Sequence, residues 1–208
     1  AGRLVMLADG ETEGWMTTTR QPEAAPAVTL PGRYYHEPAI YAQELAHIFE
    51  RQWVCAGRAE HLPQAGDYRL ATVGRESVIV VRGADGALRA FLNVCRHRGA
   101  RLCLAESGHL RGAVQCRYHA WTYGLDGRLT GAPNLIGADG FDATAYGLLP
   151  VALAEWEGTV WLSLAERPPP LADHLTPAIV ERFGAAATLA RYQIGRLRVG
   201  HTIVYDVA

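Results

Sequence analysis

The stretch that most constrains this chain runs from Cys95-Arg96-His97 to Cys116-Arg117-Tyr118-His119, 25 residues holding two Cys–His pairs. The first pair is C-x-H and the second C-x-x-H, with eighteen residues between His97 and Cys116. Thiolates and imidazoles bind soft and borderline metals, so two such pairs in tandem point to one four-ligand metal site. Spacings of two or three residues let both side chains of a tight loop converge on one small volume. A single Cys or His would be read as core. Structural zinc sites usually pair Cys with Cys and His with His. Here each pair is mixed, which suits a binuclear iron–sulfur cluster, with two Cys on one iron and two His on the other, better than zinc.

The surrounding pattern is mostly β. Residues 1–30 hold too few large apolar side chains to bury and read as disordered. In 31–53 a helix is expected from Pro38, with Ile40, Tyr41, Leu45, Ile48, Phe49 and Trp53 forming one apolar face. It reads as a packing helix. Then the period switches to two, giving strands over 67–72, 77–82 and 88–93. Asp85-Gly86 marks a hairpin between the last two, and Asp126-Gly127 marks another. Strands near 148–153 and 159–164 are joined by Glu157-Gly158. Short strands without intervening helices predict an antiparallel β-sandwich of small sheets over 54–166. Pro168-Pro169-Pro170 breaks that ladder. Over 167–208 a linker, a helical segment from Leu171 to Phe183 and one alternating strand from Leu197 to Val207 follow. A lone strand cannot form a stable sheet, so this reads as the start of a second domain.

Composition excludes several functions. The 208 residues suffice for one domain plus a fragment, and a net charge of −1 gives no reason to expect nucleic acid or an anionic membrane. The longest apolar runs, such as Val78-Ile79-Val80-Val81, are too short to span a bilayer, and no secretory signal is expected. Two of the four cysteines belong to the metal pairs, leaving Cys55 and Cys103. A disulfide framework is therefore not expected, and a reducing cytoplasm fits.

The stretches Asn93-Val94-Cys95-Arg96-His97-Arg98-Gly99-Ala100-Arg101-Leu102-Cys103 and Cys116-Arg117-Tyr118-His119-Ala120-Trp121-Thr122-Tyr123 closely resemble the Rieske domain of the large oxygenase component of Rieske non-haem iron oxygenases. That family includes aromatic-ring-hydroxylating dioxygenase α subunits and the glycine-betaine, choline and carnitine monooxygenases. Gly66-Asp67-Tyr68, Leu125-Asp126-Gly127-Arg128-Leu129 and Gly131-Ala132-Pro133 extend the similarity, from about residue 30 to the end. Arg117 departs from it, standing where the family often has Pro.

The resemblance implies a [2Fe–2S] cluster with Cys95 and Cys116 on the inner iron and His97 and His119 on the outer one. Neutral imidazoles in place of two thiolates raise the cluster potential above that of all-Cys ferredoxins. Gly99 is expected to let its loop turn tightly, Trp121 to pack over the cluster loops and Tyr118 to flank a ligand. Cys103 and Cys55 are expected to be structural or exposed, as are the other histidines at 36, 47, 61, 109, 174 and 201. Oxygen activation needs a second site, two His and one carboxylate on mononuclear Fe(II). No two histidines after the Rieske motif are close enough together to supply it, so no catalytic residue is expected in this chain. The resemblance places the oxygenase domain from about Arg196 onward, past Ala208. It also implies NAD(P)H acting through a reductase, with or without a ferredoxin, a homotrimer and a small-molecule substrate. The alternative is a stand-alone Rieske ferredoxin-like carrier, which would be about half this length.

Overall fold

The computed structural model describes residues 28–174. Most of the expected disordered segment, nearly all of the second helical segment and the strand over 197–207 lie outside them. The chain divides into two units, Ala1–Glu37 and Pro38–Ala208. Among the described residues of the first, a 3-10 turn is formed at Gly32–Tyr35.

The second unit begins with α1 (Pro38–Glu44), continued by a π-helical turn at Leu45–Phe49. The expected packing helix is shorter than predicted and buries none of its residues among the described ones. Tyr41, Ile48 and Phe49 are exposed, and only Trp53 beyond the helix is buried, its Nε1 donating to the Pro169 carbonyl at 2.8 Å. Periodicity reports an apolar stripe but carries no information about what covers it.

Among the described residues ten strands follow in chain order. They are β1 (Val54–Arg58), β2 (Asp67–Val73), β3 (Glu76–Arg82), β4 (Leu88–Leu92), β5 (Ser107–His109), β6 (Ala113–Gln115), β7 (Thr122–Gly124), β8 (Leu129–Gly131), β9 (Ala152–Trp156) and β10 (Thr159–Ser163). They form three small antiparallel sheets, β1-β10-β9, β4-β3-β2-β5 and β6-β7-β8. The strand expected near 148–153 instead occupies Ala152–Trp156. Pro150 has no N–H for a ladder and makes only an isolated bridge to Phe91. Glu157-Gly158 turns the β9–β10 hairpin with φ of 49° and 69°, as a two-residue turn of this hand requires.

The middle sheet lies between two cores, which explains why Val78 to Val81 is continuously apolar rather than alternating. Val78 and Val80 pack toward Val160 and Leu162 of the first sheet. Ile79 and Val81 point the other way, into a core with Tyr68, Phe91, Val114, Trp121 and Tyr123. Burying each such aliphatic side chain contributes about 1.5–3 kcal/mol. The strand is thereby a fixed platform, and β4, hydrogen-bonded along it, delivers Cys95 to the second core.

Gly66, in the stretch Gly66-Asp67-Tyr68, closes that platform. Its N–H donates to the Arg82 carbonyl at 2.8 Å, its carbonyl accepts from Leu110 N–H at 2.8 Å, and its φ is +92°. A Cβ here would strike the Leu110 backbone carbonyl, which is itself held by Gly112 N–H at 2.8 Å. Gly66→Ala is expected to destabilise the domain by about 2 kcal/mol or more, read as a lower urea midpoint. An unchanged midpoint would refute this account of the turn.

Candidate metal centre

Two loops carry the Cys–His pairs, and they are built alike. In the first, Cys95 N–H donates to the Ala100 carbonyl at 2.8 Å and Gly99 N–H donates back to the Cys95 carbonyl at 3.0 Å. In the second, Cys116 N–H donates to the Trp121 carbonyl at 2.7 Å and Ala120 N–H donates back to the Cys116 carbonyl at 3.0 Å. Each six-residue loop reverses at its fifth residue in the left-handed region, Gly99 at φ 71° and Ala120 at φ 57°. Glycine takes that conformation freely, whereas alanine pays a steric cost of about 1–2 kcal/mol. The loops differ in where the histidine stands, third in one and fourth in the other.

This folding sorts the four side chains by polarity. Cys95 and Cys116 are 2% and 3% exposed and share one hydrophobic core. His97 is half-buried and His119 exposed, with ring centroids 4.7 Å apart at 75°. Two thiols inside and two imidazoles outside fit a group with two metals, each taking two protein ligands. Burial, and then the positive fields of His119 and Arg98, hold the His97 imidazole below its ordinary range. That favours the neutral ring a metal requires.

Aromatic residues brace the outer pair. Trp121 is buried and stacks on His97 at 5.0 Å and 10°, while Phe141 and Tyr146 meet its indole edge-on at 6.1 and 5.6 Å. Tyr118 is exposed and lies against His119 at 3.8 Å. Cys103 sits in the same core as Cys95 and Cys116. Burial pushes its thiol up to about 11, so it stays protonated at neutral pH. Cys55 and His36, His47, His61 and His109 are exposed, while the His174 side chain and His201 fall outside the described residues.

Two supporting residues lie within the resembling motifs, but no role for them follows from the sequence. Asn93 is 3% exposed and uses all its amide valences at the base of the first loop. Its Oδ1 accepts from Leu102 N–H at 3.1 Å and Cys103 N–H at 2.9 Å. Its Nδ2 donates to the Cys103 carbonyl at 2.8 Å and to Ser77 Oγ at 3.2 Å. Asn93 thus staples the ends of the loop together and ties them to β3. A polar residue ending an apolar strand immediately before a ligand pair is the signal that could have exposed it.

The other is Tyr123, fully buried on β7. Its hydroxyl oxygen accepts the Arg96 N–H at 3.0 Å and lies 3.3 Å from Cys95 Sγ. With the oxygen facing an amide donor, the phenolic hydrogen is free to point at sulfur. Burial, then the Cys95 thiol, push this phenol well above its usual 10, so it remains a neutral donor. A donor to a ligating sulfur favours the state with more electron density there. Tyr123→Phe is expected to lower the cluster potential by about 40–60 mV, from roughly 1 kcal/mol of differential hydrogen bonding. Equal potentials in protein-film voltammetry would refute the assignment.

Residues 52–142 match the family described as Rieske [2Fe-2S] domain. Over those residues the chain carries a Rieske domain. It is 44% identical over 147 residues to the glycine betaine monooxygenase oxygenase subunit of Chromohalobacter salexigens, covering 71% of this chain and 33% of that protein. An apo quaternary ammonium Rieske monooxygenase superposes with a TM-score of 0.68 at 35% identity, covering 74% of this chain and 45% of that one. Naphthalene 1,2-dioxygenase from Rhodococcus sp. gives 0.69 at 30% identity, covering 74% and 36%. The domain is thus similar to those of oxygenase subunits. The chain spans about a third of the length of the first of these relatives. Among the described residues no helix is long and apolar enough to cross a membrane.

Proposed function

We propose that Cys95 and Cys116 hold the inner iron of a [2Fe–2S] cluster and His97 and His119 the outer iron, with Gly99, Tyr118 and Trp121 shaping the surroundings. The observation that carries this is the sorting by the paired loops, both thiols buried and both imidazoles turned toward the surface. When bound, the cluster supplies one-electron transfer between a reductase using NAD(P)H, with or without a ferredoxin, and a mononuclear Fe(II) elsewhere in the full-length oxygenase.

The chain's own residues do the rest. Trp121 fixes the plane of the His97 ring, Tyr123 donates toward Cys95, and the apolar core around both thiols excludes water from the inner side. His119, being exposed, offers a ring nitrogen where a proton can follow an electron. The reading extends to a cytoplasmic, trimeric oxygenase that hydroxylates or demethylates a small molecule. A quaternary-ammonium substrate is favoured over an aromatic one, because the first of those relatives shares more sequence with this chain.

The test is anaerobic reconstitution with iron and sulfide. A reddish-brown protein giving a Rieske-type EPR spectrum once reduced is expected. Stoichiometric zinc without iron would overturn the reading.

A further inference from the structure

The chain that leaves β8 comes back over the second Cys–His loop, tied down at both ends. Ala132 is buried, and its carbonyl accepts from Leu135 N–H and Ile136 N–H, each at 3.1 Å. Leu148 is buried at the far end, and its N–H donates to the Gly127 carbonyl at 2.8 Å. Between these anchors Asp142 caps a 3-10 turn at Ala143–Tyr146. Its Oδ1 accepts from Thr144 N–H at 2.9 Å and from Thr144 Oγ1 at 2.6 Å. Phe141 just before the turn and Tyr146 at its end stack on each other at 5.1 Å and 20°.

Both rings stand edge-on to the Trp121 indole, at 76° and 84°. Trp121 serves both loops. Its carbonyl closes the second by accepting from Cys116 N–H, while its ring plates His97 of the first at an interplanar angle of 10°. The χ2 torsion of histidine is broad, so rotamer preference alone leaves this imidazole free to swing. A flat indole against its face removes that freedom only if the indole itself is held, and two edge contacts hold it. Among the described residues His119 has no such backed plate. Its aromatic neighbour is Tyr118, which is exposed and tilted at 38°.

Resting on the reading of His97 as a cluster ligand, we infer that Phe141 and Tyr146 are positioning residues, a clip that locks the His97 ring in one plane through Trp121. Groups that orient a ligating histidine govern how firmly its metal is held.

Tyr146→Ala, Phe141→Ala and the double variant, each loaded with iron and sulfide, test this. The readouts are the EPR linewidth of the reduced protein and the rate at which a ferrous chelator removes iron. Each single variant should broaden the lines and speed iron release about threefold, and the double about tenfold or more. Tyr146→Phe keeps the ring edge and should match wild type, whereas Phe141→Leu keeps bulk without an aromatic edge and should behave like Ala. Val160→Ala weakens the core on the other side of the middle sheet. It should lower the urea midpoint and leave both readouts as in wild type. Wild-type linewidth and release in the double variant, or the same changes in Val160→Ala, would overturn the clip. Should Phe141→Ala fail to fold, Tyr146→Ala decides, because Tyr146 is 38% exposed and its loss costs little burial. A wild-type chain that takes up no cluster would remove the ligand reading and the clip together, whereas a loaded wild type with unaffected variants removes the clip alone.

Discussion

Replacing His119 with Cys is expected to remove the Rieske character of the centre while leaving the fold intact. His119 is exposed at the loop tip, where its ring lies against Tyr118 and His97, so the substitution costs little buried packing. What changes is charge. A thiolate in place of a neutral imidazole adds one negative charge at the outer iron and disfavours the reduced state. Rieske centres lie at about −150 to +300 mV and plant-type ferredoxins near −400 mV, so one such exchange should lower the potential by roughly 100–300 mV or abolish the cluster. The visible spectrum and a redox titration check this. An unchanged spectrum and potential would rule His119 out as a ligand.

Asn93→Ala should have the largest effect on stability. It leaves two buried amide N–H groups, the Cys103 carbonyl and Ser77 Oγ without their partner. Each unsatisfied buried group costs about 1–3 kcal/mol, and partial relaxation brings the sum to about 3–5 kcal/mol. Against a total stability of about 5–15 kcal/mol, the variant should unfold at far lower urea and lose its cluster on mild warming. Asn93→Asp keeps the two acceptor contacts but cannot donate to the Cys103 carbonyl, so it should fall between wild type and Ala. Equal midpoints for Asn and Ala would show that the staple contributes nothing.

The two proposed effects act on different properties. His119 bears on the redox chemistry of a folded domain, whereas Asn93 bears on whether the loop that presents Cys95 and His97 exists at all. Tyr123 lies between them, fixed by the core and touching the sulfur.

Much of this was legible in the sequence because it is local. The Cys–His pairs, the Asp85-Gly86 and Glu157-Gly158 turns and the strands over 67–82 follow from short spacings and from glycine's access to positive φ. The alternation of β2, with Tyr68 and Leu70 toward one core and Ala71 and Val73 toward the other, is the same kind of signal. β1 carries no such signal, because Val54-Cys55-Ala56-Gly57-Arg58 has weak alternation and is a strand through its pairing with β10. The helix at Pro38–Glu44 was visible as a stripe, but its expected burial was not realised among the described residues.

The sequence by itself determined which atoms can bind metal and that two loops must present them, since residue type and spacing are properties of the chain alone. Only the tertiary structure decided which ligands are buried and which face outward. It also set Trp121 against His97, aimed Tyr123 at Cys95 from 28 residues away, and gave Ala120 the left-handed turn that Gly99 makes in the first loop. Those features depend on how β4 and β7 meet across a shared core, and no local pattern encodes the relative placement of two strands.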